Sequence, residues 1–64
     1  MNQQHPELRD EVHKIAEDAY QRHLISGYGD SEYADQYQIV WQGKPRHLSL
    51  TAARSLLNAL LQEQ

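Results

Sequence analysis

The stretch YQIVWQGKPRHLSLTAARSLLNALLQ, residues 37–62, decides the fold of this chain. Tyr37, Ile39 and Trp41 alternate with Gln36, Gln38 and Gln42, and Val40 is the exception. Period-two patterning in aromatic and branched residues marks a half-buried strand. Gly43-Lys44 predicts a two-residue turn, because glycine at the first central position suits the mirror-type turns of hairpins. The strands are then residues 37–42 and 45–48. Counting outward pairs Trp41 with Arg46, Val40 with His47, Ile39 with Leu48 and Gln38 with Ser49. Directly paired residues share a face, so Leu48 joins Ile39, Trp41 and Tyr37. A slip of one residue would move Leu48 to the polar side. Pro45 removes one donor beside the turn, which an edge strand tolerates; a longer loop through Pro45 is the rival reading.

Ser49 follows as an N-cap, its hydroxyl accepting from an early amide of a helix over residues 50–62, with Thr51 the alternative cap. Ala53, Leu56, Leu57, Leu60 and Leu61 recur at helical spacing, while Arg54, Ser55, Asn58 and Gln62 fill the other side. Four leucines in six residues exceed what a short helix needs for itself. They cover the hairpin and touch a neighbouring helix, or part of the stripe (Leu57, Leu60, Leu61) forms a seam between two copies of the chain. The second reading gains weight from size. A 64-residue chain buries only roughly 60% of the surface its unfolded form exposes.

Working toward the N-terminus, residues 27–36 read as a loop or a short helical turn, with Asp30 or Ser31 as its cap. Tyr28, Tyr33 and Tyr37 interleave there with Asp30, Glu32 and Asp35. The tyrosines lean on the core with their hydroxyls wet, or together with the acids they make a contact patch for a basic partner. Residues 6–26 read as a helix. Proline suits the first helical position, and Glu7, Asp10 and Glu11 crowd the positive end of the dipole while Arg22 and His23 sit near the negative end. Leu8, Val12, Ile15, Ala16, Ala19 and His23 form one apolar stripe, widened by Tyr20 and Leu24. Asp10, Lys14, Asp18 and Arg22 alternate in sign on the opposite side. Gly27 supplies the stop, and residues 1–5 are a flexible leader.

Composition narrows the function. With 39% apolar and 23% charged residues the chain is globular rather than disordered. The absence of cysteine removes disulfides, thiolate metal sites and thiol catalysis. No run approaches the ~20 apolar residues of a membrane span, and Met1–Glu11 lacks the basic start and apolar run of a secretory signal. A cytoplasmic domain is therefore expected, with no membrane partner. The net charge of −3 works against broad attraction to nucleic acid or anionic lipid.

Catalytic and metal motifs are weak. His5, His13, His23 and His47 are dispersed; His13 and Glu17 lie one turn apart, but two ligands make no metal site, and the His-Glu-x-x-His order is missing. The serines lack a nucleophile elbow. Gly43-Lys44 lacks the further glycines and the hydroxyl of a phosphate-binding loop. No catalytic residue, metal or cofactor is assigned, and no enzyme is expected. The hairpin end is the stronger site. Lys44, Arg46 and His47 crowd four positions, with Trp41 opposite Arg46 and Arg54 nearby on the helix. A cation over an indole face contributes about 0.5–1 kcal/mol when exposed. The same residues could contact phosphates while Trp41 stacks a base.

The expected architecture is a single small α+β domain in the order α–β–β–α, with two helices on one face of an antiparallel hairpin. The expected function is a non-enzymatic protein-interaction or self-association module, a homodimer among its forms. The alternative is a weak nucleic-acid binder acting through the basic hairpin end.

Overall fold

The structure is a computed structural model describing residues 6–33 and 35–63, the Pro6 side chain excepted; the leader read at residues 1–5, with His5, lies outside them. Helix α1 (Pro6–Gln21) is followed by strands β1 (Gly27–Asp30), β2 (Gln36–Trp41) and β3 (Lys44–Ser49), then helix α2 (Leu50–Gln62). The strands form one antiparallel sheet in the order β1-β2-β3. The domain is α+β, and its sheet has one strand more than the hairpin read from the sequence. The third strand lies where a loop or helical turn was expected.

Five residues, 22–26, separate the end of helix α1 from β1. His23 takes the left-handed conformation (φ 64°), the amide of Leu24 donates to the Ala19 carbonyl at 2.9 Å, and that of His23 donates to Tyr20 at 3.0 Å. This is the paired 6→1 and 5→2 closure that satisfies terminal carbonyls. The expected stop at Gly27 is corrected by five residues of chain, and His23, read on the apolar stripe, is exposed in the cap. Gly27 serves the sheet instead. A Cβ there would lie 3.2 Å from Val40 Cγ2, so β1 lies close enough to β2 that any larger residue would press on the Val40 side chain.

The β2–β3 turn is Gln42-Gly43, both with positive φ (56° and 76°), the geometry of a type I′ turn whose twist matches the flanking strands. Trp41 therefore lies opposite Lys44, Ile39 opposite Arg46 and Tyr37 opposite Leu48. The expected turn sat one residue later, which displaces every partner by two positions. Because side chains alternate with period two, a two-residue displacement leaves each on the face it was assigned. In a two-residue hairpin the residues flanking the turn exchange both ladder bonds, and alternate pairs exchange none. Pro45, opposite Val40, falls in a pair that exchanges none, so no ladder bond is lost and the outer edge of β3 has one donor fewer.

Both helices pack on one face of the sheet. Val12, Ala16 and Ala19 from α1 meet Ala53 and Leu57 from α2 over Tyr37 and Ile39 of β2, with Ile25 and Leu50 closing the cluster. Alanines at the centre of α1 and α2 let the helices approach each other closely while Leu8, Ile15, Leu56, Leu60 and Leu61 fill the margins. Ser49 caps α2 through a 3.1 Å bond from the Ala52 amide to its Oγ. Because α2 follows β3 without a linker, it runs back across β2 and β3 in the direction of the β2–β3 turn. The chain after α1 is held to β2, since the Ser26 amide donates to the Val40 carbonyl at 2.9 Å.

Candidate interaction site at the hairpin end

Three of the residues singled out in the sequence converge. Trp41, Lys44 and Arg46 occupy one face of the β2–β3 pair: Trp41 faces Lys44 directly, and Arg46 lies diagonally, two residues further along β3. The Arg46 Cζ stands 4.7 Å from the centroid of the Trp41 ring, so the cation–aromatic contact survives the change of register. Stacking desolvates the guanidinium on one side. Its Nε is buried and has no hydrogen-bond partner among the described residues.

His47 and Arg54 do not join them. His47 lies opposite Gln38, on the face without helices, where its Nδ1 is 2.8 Å from Ser31 Oγ and its ring meets Tyr33 edge-on at 5.2 Å. Arg54 donates to Glu11 Oε1 at 3.2 Å, tying α2 to α1. Arg9 pairs with Asp30 at 2.6 Å and Arg22 with Asp18 at 2.8 Å. All of these arginines are matched to carboxylates. Lys44, Arg46 and the solvent-facing Lys14 have no ion pair among the described residues.

The proposed seam between copies is altered by packing. Leu57 has no exposed surface and belongs to the core of its own chain; Leu60 and Leu61 are partly buried against that core. The acidic, tyrosine-rich segment separates as well. Tyr37 is 1% exposed and Tyr33 54% exposed, while Tyr28 packs against His13 and Tyr20 with ring centroids 5.4 Å apart in both pairs. Only Tyr33 remains beside the exposed Glu32 and Asp35.

The sequence reading missed four partners: Glu11 for Arg54, Ser31 and Tyr33 for His47, and His13 for Tyr37. Each links residues far apart in the chain. The i,i+4 pair Asp18–Arg22 was visible because helical spacing announces it. Among the described residues no group of three or more histidine or carboxylate side chains is placed to hold a metal ion, and no helix is long and apolar enough to cross a membrane. Comparison with protein-family models, with curated proteins and with solved structures finds no match.

Proposed function

We propose that this domain is a non-enzymatic interaction module that receives a carboxylate-bearing protein segment at its hairpin end. The observation supporting it is the contrast among cations. Arg9, Arg22 and Arg54 are each joined to a carboxylate of the chain, whereas Lys44 and Arg46 stand together beside Trp41 with none among the described residues. A carboxylate approaching there gains two charge-assisted hydrogen bonds next to a rigid aromatic anchor.

Phosphate contact is the second reading, and the same pair of cations favours it. It is the weaker one. The remaining members of the basic set lie elsewhere, Arg46 already occupies one side of the indole on which a base would stack, and the net charge is −3.

The test is a titration of isotope-labelled protein with an oligoglutamate peptide and, separately, with a single-stranded oligonucleotide, both at low salt. Saturable shifts of the Trp41 indole and the Lys44 and Arg46 amides are expected with the peptide. Those shifts should be lost in Lys44→Ala/Arg46→Ala and should weaken as salt is added. A response to the oligonucleotide alone would select the second reading, and unchanged shifts in the double variant would exclude both.

A further inference from the structure

Beside the hairpin tip, and separate from the Trp41–Arg46 face, a cleft of about 580 Å³ opens between the end of α1 and the β2–β3 turn. Its apolar wall includes Leu24 and Ile25, and Ile25 is 4% exposed. Tyr20 forms another wall and is 47% exposed, its ring held by the tilted contact with Tyr28. The polar rim consists of Gln21, His23 and Gln42. None of these three side chains is hydrogen-bonded to another described residue.

Two of the three rim residues stand in left-handed backbone, His23 at φ 64° and Gln42 at φ 56°. Glycine takes that conformation freely, whereas a Cβ crowds the backbone. Histidine is found there more often than most residues; glutamine is not among those favoured. At the end of a helix and in a type I′ turn, glycine or asparagine is the residue local structure prefers. Both positions nevertheless carry a larger polar side chain, and both line the same cleft. Strained backbone at a concave surface is a signature of side chains kept for contact rather than for folding.

We propose that this cleft binds a neutral, planar heteroaromatic molecule of the nucleobase class, an activity beyond the interaction module proposed above. Neutrality follows from the lining, whose described residues hold no carboxylate, ammonium or guanidinium group. Planarity follows from the fixed Tyr20 ring, which offers a stacking face beside an apolar floor. The heteroaromatic edge follows from the rim: a primary amide presents one donor and one acceptor side by side, the pattern that reads adjacent ring and exocyclic nitrogens of a base. The volume lies within the range of small-molecule sites.

The experiment titrates the isotope-labelled chain with adenosine, using cyclohexanol as the non-aromatic control. Adenosine should produce saturable shifts at the Gln42 side-chain amide and at Tyr20, and cyclohexanol should not. Gln42→Gly and His23→Gly should each raise the thermal midpoint by roughly 4 °C, because strain is relieved in a small domain. Each should also weaken adenosine binding about tenfold, the loss of one hydrogen bond. A fall in midpoint on either glycine substitution would remove the strain argument. No saturable response to adenosine, an equal response to cyclohexanol, or unchanged affinity in Gln42→Gly would overturn the assignment. None of these outcomes bears on the oligoglutamate titration, which reads Lys44 and Arg46.

Discussion

The hydroxyl of Tyr37 lies 3.0 Å from Nδ1 of His13, joining the central strand to the first helix at the edge of the core. Burial first, then the negative charge of Asp30 and the neighbouring Tyr28, holds the Tyr37 phenol protonated up to about pH 12, against the opposing pull of Arg9. The phenol is therefore a hydrogen-bond donor for Nδ1 whenever the imidazole carries its proton on the other nitrogen. Its pKa is raised in the folded state from 10.0 to about 12, so between these values the folded chain binds the proton that the unfolded chain releases. Stability from this group is fully present below pH 10 and falls as pH rises toward 12. Chemical denaturation at pH 9, 10.5 and 12 should show that loss. Tyr37→Phe should cost about 1 kcal/mol at neutral pH for the missing hydrogen bond and should flatten the alkaline slope; an unchanged slope in the variant would assign the loss to other groups.

Leu57 tests how far the domain depends on its small core. It has no exposed surface and sits with Ala53 over Tyr37 and Ile39. Truncation of a fully buried leucine costs about 2–5 kcal/mol, comparable with the whole stability of a domain this size. Leu57→Ala should be largely unfolded by circular dichroism at 37 °C. A cooperative transition displaced by only a few degrees would mean that residue 57 can relax toward solvent, reopening a role for it between copies of the chain.

Ser49 is the cap that the sequence favours for α2, with Thr51 the alternative, and the structure places the cap at Ser49. The Ala52 amide donates to Ser49 Oγ, and Ser49 holds the extended conformation of a cap, with φ −60° and ψ 160°. Ser49→Ala should cost about 1 kcal/mol, whereas Thr51→Ala, at an exposed helical position, should change stability by less than about 0.5 kcal/mol. Equal effects in thermal melts would contradict the assigned cap.

The helices and the central hairpin were legible because each is announced by neighbours in sequence: the leucine spacing after Ser49, the aromatic alternation before Gly43. Strand β1 was not. Gly27, Tyr28, Gly29 and Asp30 contain two glycines, an aspartate and no branched residue, so only Tyr28 locally favours a strand; they become one because β2 presents an open edge, with Tyr28 opposite Ile39. The end of α1 was misplaced for a related reason. Gly27 offers the cheaper left-handed residue, but it is the first residue of β1, so a helix stopping there would leave no chain to turn into that strand, and His23 takes the role instead. At the candidate site, the clustering of Trp41 and Arg46 could be read from alternation alone. The departure of Arg54 toward Glu11 and of His47 toward Ser31 could not, since both depend on how α1 and the β1–β2 loop fold back in three dimensions.

The identity of the turn has a measurable sign. With Gln42 in left-handed backbone ahead of Gly43, Gln42→Asn creates the Asn-Gly pair that type I′ hairpins favour most, and stability should rise by a few tenths of a kcal/mol or more. Had the turn been Gly43-Lys44, residue 42 would lie in extended strand, where asparagine is disfavoured, and the same change would lower stability. Gly43 at φ 76° should resist replacement, with Gly43→Ala costing about 1–2 kcal/mol. The register itself is checked by cross-strand nuclear Overhauser contacts, expected between Ile39 and Arg46 and between Tyr37 and Leu48. Direct Ile39–Leu48 pairing together with a destabilised Gln42→Asn would move the turn by one residue and carry Arg46 to a position directly opposite Trp41.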